Sequence, residues 1–291
     1  RNSRPRSQAS AVRVGRPAST GRPSGQIRRP AGPTGGHRAA MLGKRYLWVG
    51  GEAGLLLHST NVGKTWQRRN LPLKAPVTAL ASDGGSRLVA GLRRAGKIAY
   101  SHDGGLNWRL GAVDGNVWID DIIFIPSPRT LKSGRRPSVG GIFLGVGHGK
   151  HPRYVVTSCD YGKTWQRTQT PTGSMSGLAF DGRNTIVAVG GGSMRPGTSH
   201  AAPVMYSTDR GRTWQETLKG TAGSATLRDV TYDRRFNRFI AVGGSTMKGA
   251  TVRYSNDGGK SWKAATIGGH ALFCVAASGH GIVLASGRGG G

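Results

Sequence analysis

Apolar and polar positions along this chain alternate in short runs, and nowhere do they repeat with the 3.6-residue spacing of an amphipathic helix. Runs of Val, Ile, Leu, Ala and Phe stand at 46–50, 88–91, 142–146, 186–190, 239–243 and 282–286, and four of the six end in glycine. A shorter run precedes each of them, at 38–42, 77–82, 122–125, 178–180, 230–232 and 273–277. Tight turns such as Asp83-Gly84-Gly85 and Asp181-Gly182-Arg183 separate the two. A third run follows at 55–58, 98–100, 154–157, 204–206 and 251–254. β-rich runs of this length, with a turn signal every 8 to 12 residues, predict an all-β sandwich, barrel or propeller.

One eight-residue phrase follows the third run in every unit. It reads Ser59-Thr-Asn-Val-Gly-Lys-Thr-Trp66, Ser101-His-Asp-Gly-Gly-Leu-Asn-Trp108, Ser158-Cys-Asp-Tyr-Gly-Lys-Thr-Trp165, Ser207-Thr-Asp-Arg-Gly-Arg-Thr-Trp214 and Ser255-Asn-Asp-Gly-Gly-Lys-Ser-Trp262. The copies recur every 42 to 57 residues. A repeat of that length with four strands favours a propeller. The phrase lies between a third strand and a fourth that its tryptophan opens, so it is a hairpin turn. Its glycine supplies the positive φ such turns demand. Its aspartate can accept backbone N–H groups a few residues ahead. Its tryptophan is expected to bury an area worth about 2–3 kcal/mol per copy. The expected turn-holders are Asn61 and Trp66, Asp103 and Trp108, Asp160 and Trp165, Asp209 and Trp214, and Asp257 and Trp262, with no catalytic role; Asn61 keeps the acceptor without the charge.

The phrase resembles the Asp box, S-x-D-x-G-x-T-W, or BNR repeat, found in sialidases, in the photosystem II assembly-factor propellers and in many other β-propellers. The resemblance implies a β-propeller of four-stranded blades. Five full repeats and a half repeat predict six blades, with five or seven as alternatives. The half repeat implies a fragment, or a last blade completed by another segment or a partner. The expected division is a basic tail over 1–36 and a propeller over 37–291.

Charge adds a second theme. The chain carries 42 Lys and Arg against 13 Asp and Glu, a formal net charge of +29. Residues 1–45 hold eleven basic residues and no acid, which leaves +18 for the remainder. Residues 1–36 are Arg-, Pro-, Gly- and Ser-rich and cannot bury enough surface to offset their ordering entropy, so they are expected to be disordered when free. Such a segment reads either as a transit-peptide remnant or as an arm that threads into an anionic partner. Nucleic acid is the usual polyanion that neutralises so large an excess, through phosphate contacts that position without reading sequence. The expected contacts on the tail are Arg4, Arg6, Arg13, Arg16, Arg22, Arg28 and Arg29. On the second-to-third loops they are Arg93, Arg94, Lys97, Lys150, Arg153, Arg195 and Lys248, and on the insertion 126–140 they are Arg129, Lys132, Arg135 and Arg136. The two groups of loops lie on opposite propeller faces.

Catalytic chemistry finds little support. A sialidase-like site needs an arginine cluster, an acid/base Asp and a Tyr activated by a Glu. Glu52 and Glu216 are the only glutamates, and the arginine-isoleucine-proline signature of sialidase domains is missing. Asp121 and Asp229 stand at equivalent places near the start of the innermost strand in two units, and partners such as Arg228 give them a structural role. Cys159 and Cys274 are too few for a cysteine-rich zinc site, and the histidines show no metal spacing. No cofactor or metal is expected, and no apolar run is long enough to span a membrane. The reading is a non-enzymatic structural protein of a large nucleic-acid-containing assembly, most concretely a mitochondrial ribosomal protein on rRNA phosphates. The alternative is an assembly factor or scaffold propeller that binds acidic protein, as in photosystem assembly, on microtubules or in a virion. A sialidase-like glycan-binding protein is the third reading. The organellar setting favours the mitochondrion, with chloroplast or virion as alternatives.

Overall fold

The computed structural model describes residues 38–42, 46–93, 95–115, 117–127, 140–147, 154–171, 174–191, 203–218, 226–245, 249–265 and 267–287. The first sheet holds β1 (Arg38–Leu42), β2 (Tyr46–Gly50), β3 (Leu56–Ser59) and β4 (Gln67–Arg68). The second holds β5 (Val77–Ser82), β6 (Leu88–Leu92), β7 (Lys97–Ser101) and β8 (Arg109–Leu110). In the third, β9 (Ala112–Val113) lies outside β10 (Ile119–Pro126), β11 (Gly141–Gly147), β12 (Tyr154–Ser158) and β13 (Thr164–Gln169). The fourth holds β14 (Met175–Phe180), β15 (Ile186–Gly190), β16 (Val204–Ser207) and β17 (Gln215–Leu218). The fifth holds β18 (Leu227–Asp233), β19 (Arg238–Ser245), β20 (Gly249–Ser255) and β21 (Lys263–Ala265), and the sixth β22 (Leu272–Ala277) and β23 (Val283–Gly287).

Apart from β9, each sheet is an antiparallel meander in chain order, and its innermost strand packs on the innermost strand of the next: β1 on β5, β5 on β10, β10 on β14, β14 on β18, β18 on β22. That is a β-propeller, as the repeat implies. Among the described residues there is no α-helix; a single 3₁₀ turn, Glu52–Gly54, joins β2 to β3. The short strand β9 was not expected: it pairs parallel to β13 and extends the third sheet by one strand.

The core is a series of layers between consecutive sheets. Trp48, Leu80, Leu88 and Trp108 fill the first layer; Val89, Ile98, Ile119, Phe143 and Trp165 the second. Leu144, Ile186, Met205 and Trp214 fill the third, and Val187, Val204, Val230 and Phe239 the fourth. The last layer is thinner, built on Ile240, Val242 and Val275, and Ile282 just before β23 and Leu284 on it are largely exposed.

Five innermost strands carry a bulge near their start, where the pairing register shifts across Thr78, Asp120, Ser176, Arg228 and Phe273. A bulge interrupts the two-residue alternation and bends the strand. This is why the pattern placed three of these strands at 122, 178 and 230, whereas they begin at Ile119, Met175 and Leu227.

Candidate functional site

The five boxes are hairpin turns closed by one repeated set of hydrogen bonds. In the third, the Ser158 hydroxyl donates to Asp160 (2.8 Å) and accepts from the Gly162 N–H (2.7 Å). Asp160 also accepts the Thr164 N–H (2.9 Å) and hydroxyl (2.6 Å), and Trp165 Nε1 donates to the Gly162 carbonyl (3.0 Å). Asp209 repeats this with Ser207 and Thr213, and Asp257 with Ser255 and Ser261. Asp103 takes Ser101 and the N–H and side-chain amide of Asn107 instead. In the first box Asn61 accepts from Ser59 and the Thr65 N–H, and its amide donates to the Thr65 hydroxyl. Burial pushes these carboxyls up, but the hydrogen bonds outweigh it, holding Asp160 and Asp209 low and Asp103 and Asp257 at about 2. A carboxylate bonded in this way is a weak base and a poor proton donor at neutral pH.

Every box from the second onward is also a clamp on the preceding sheet. The glycine of box two faces Trp48, that of box three Val89 and Tyr100, that of box four Leu144, and that of box five Val187 and Tyr206. Trp108, Trp165 and Trp214 are accordingly buried and Trp262 half-buried. The first box differs from expectation. Gly63 touches only Leu47 and Trp66 of its own sheet, and Trp66 is 39% exposed. Among the described residues no preceding sheet seats on it, so the burial expected of Trp66 is incomplete.

Asp121 and Asp229 occupy equivalent places immediately after the bulge, and both bond backbone N–H groups. Asp121 accepts the Ile122 N–H (2.9 Å) and, across to the next sheet, the Leu178 N–H (2.8 Å). Asp229 accepts the Val230 N–H (2.9 Å) and the Val275 N–H (3.0 Å) in the same way. Each carboxylate therefore staples one innermost strand to the next. The Arg228 guanidinium lies 4.7 Å over the Phe273 ring. Glu52 is exposed in the 3₁₀ turn and Glu216 sits on an outer strand, so the described residues bring no acid pair together around an activated tyrosine. No cluster among the described residues could hold a metal ion, and no helix there is long and apolar enough to cross a membrane. Cys159 is exposed in box three and Cys274 is buried on β22, with no disulfide between them.

Of the expected anion contacts, Arg93 and Lys97 are described. Arg93 follows β6, with its N–H on the Pro76 carbonyl (2.9 Å), and Lys97 opens β7, both at the face opposite the boxes. Arg4, Arg6, Arg13, Arg16, Arg22, Arg28, Arg29, Arg94, Arg129, Lys132, Arg135, Arg136, Lys150, Arg153, Arg195 and Lys248 lie outside the described residues. Sequence reasoning passed over a second basic group, on the box face. Arg234, Arg235, Phe236 and Asn237 form the exposed turn between β18 and β19, and Arg238 follows. Phe236 is 53% exposed, with the Arg238 and Arg235 guanidinium carbons 4.9 Å and 5.7 Å from its ring centre. The run Arg-Arg-Phe-Asn-Arg was the available signal.

Residues 40–272 match the family described as photosynthesis system II assembly factor YCF48. The chain belongs to that family. The match to the YCF48 family spans all five boxes and ends on the first residue of β22. Among solved structures, a GH74 xyloglucanase from Xanthomonas campestris is similar at 19% identity and a TM-score of 0.57, over 83% of this chain and 38% of that one. Hydrazine synthase from Kuenenia stuttgartiensis is similar at 11% identity and a TM-score of 0.60, over 79% of this chain and 66% of that one. This chain thus spans less than two thirds of either, and at such identities the likeness is one of fold alone. YCF48 bound to D1 peptide also aligns, at 17% identity over 76% of this chain and 79% of that one, with a TM-score of 0.40. No curated protein matches the sequence. YCF48 membership favours the assembly-factor alternative over the ribosomal reading, and it lends no support to an rRNA partner or a mitochondrial setting.

Proposed function

We propose that the chain is a non-enzymatic assembly-factor propeller that holds a segment of a client polypeptide. The observation that carries this reading is the family match over residues 40–272. A member of the same family is bound to D1 peptide, which makes that peptide the first probe to use. The net charge of +29 supports a client segment rich in acid, since complementary charge speeds encounter and disfavours basic competitors. The bonding of the box aspartates and of Asp121 and Asp229 supports a role without turnover, because these carboxylates act on backbone N–H groups. Residues 1–36 serve as a basic arm beside the propeller over 37–291. The family's role in photosystem II assembly favours a chloroplast setting over the mitochondrion. The test is titration calorimetry of the full chain with D1 peptide and with a charge-reversed version of it. Saturable binding of the first and none of the second is the expected result. Absence of saturable binding to D1 peptide and to an acidic peptide panel alike would sink the reading.

A further inference from the structure

The turn between β18 and β19 is placed where its cations can spread. The Arg234 guanidinium reaches over Gly182 of the neighbouring sheet's turn, 3.0 Å from where a Cβ would stand. Arg235 Cδ and Phe236 Cε2 reach the other way over Gly281, 2.7 Å and 3.0 Å from its Cβ position. A side chain at either glycine would push the arginines off. Arg183, next to Gly182 and exposed, extends the row. The acids of these turns are bonded to their own backbone. Asp233 is fully buried, accepts the Arg235 N–H (3.0 Å) and lies 3.7 Å from Arg238 Nε. Asp181 accepts the Arg183 and Thr185 N–H groups (2.7 Å and 3.0 Å). A row of guanidinium groups thus runs from Arg183 through Arg234 and Arg235 to the space over Gly281, with the half-exposed Phe236 ring beside it.

We propose that this cluster binds single-stranded nucleic acid, with a base stacked on Phe236 and flanking phosphates on Arg183, Arg234 and Arg235. The site lies beyond the polypeptide-binding reading and does not depend on it. An exposed ring flanked by guanidinium groups offers a stacking platform beside charge, which suits a base and its phosphate. An acidic peptide would use the charges and leave the ring idle, and a duplex keeps its base faces stacked within itself. The charge excess of the chain, +29, is of the sign that draws a polyanion to such a platform.

The experiment is fluorescence anisotropy of the full chain with labelled oligothymidylate, oligouridylate, a DNA duplex and polyglutamate. Phe236→Ala is expected to weaken binding of both single strands about 5- to 100-fold and to leave the duplex unchanged. Phe236→Trp is expected to restore it, which separates stacking from a folding defect. Arg235→Gln is expected to flatten the salt dependence of single-strand binding by about 0.7 log unit per log unit. Tighter binding of either single strand tells RNA from DNA and supports the site in both cases. Unchanged single-strand affinity in Phe236→Ala would overturn it, as would equal losses for duplex and polyglutamate, which would mark the cluster as a surface for acidic polypeptide.

Discussion

Replacing the box-three glycine with alanine tests whether the boxes clamp neighbouring sheets or merely close their own hairpins. Gly162 has φ +95°, and a Cβ there would stand 2.7 Å from Val89 Cγ1 and 2.8 Å from Tyr100 Cβ, both on the preceding sheet. The left-handed backbone alone costs an alanine about 1–2 kcal/mol. Forcing a methyl against Val89, which is fully buried, and against a Cβ close to the Tyr100 backbone adds about 1–3 kcal/mol of overpacking. The total is about 2–5 kcal/mol. Gly63 is the internal control: it holds the same place in box one with φ +84°, and its nearest neighbours, Leu47 Cδ1 and Trp66 Cζ2, are at 3.4 Å and 3.5 Å. Gly63→Ala should therefore lose only the backbone part, about 1–2 kcal/mol. Urea denaturation followed by tryptophan fluorescence, with calorimetric melting as a second probe, measures both. In a domain of this size each kcal/mol moves the melting temperature by roughly 2–4 °C. Equal losses in the two variants would refute the clamp, leaving these glycines to serve only the turn.

Three further outcomes follow from the same geometry. Asp229→Ala removes the acceptor of two N–H groups, Val230 and Val275, at a site 3% exposed, and should cost about 2–4 kcal/mol in denaturant titration. Trp165→Ala, at a side chain 4% exposed, should cost about 3–5 kcal/mol, and Trp66→Ala, at one 39% exposed, less than half of that. Asp103 and Asp257 are held at about 2 in the folded chain, below the unfolded aspartate value of about 4. Their contribution is therefore fully present above about pH 4 and is lost as pH falls through about 2, and calorimetric melting between those limits should show stability declining with acid.

The boxes were legible because each role demands a residue type at a fixed spacing: a hydroxyl at Ser158, a carboxylate at Asp160, a glycine at 162 and a buried ring at Trp165. The propeller followed from their recurrence. Other features depend on what the neighbouring sheet supplies. Asp121 and Asp229 bond backbone N–H groups 57 and 46 residues further on, and no side-chain pattern marks such a partner. The shortfall at Trp66 goes with the absence, among the described residues, of a preceding sheet seated on its box, which keeps the serine, glycine and tryptophan of the others and departs from them at Asn61. The cluster around Phe236 was hidden because its arginines lie in a tight turn, where charged residues are ordinary, and only the neighbouring turns bring them into a row. Charge was the weakest guide. It gives the sign of a partner but not its kind, so +29 led to a ribosomal reading where the family match leads to protein assembly.

Hydrogen exchange of the full chain with and without D1 peptide tests most directly whether a polypeptide client docks on the propeller. Added peptide is expected to slow exchange in a contiguous set of propeller segments within residues 46–287. Unchanged exchange throughout, or protection confined to residues 1–37, would contradict a client seated on the blades.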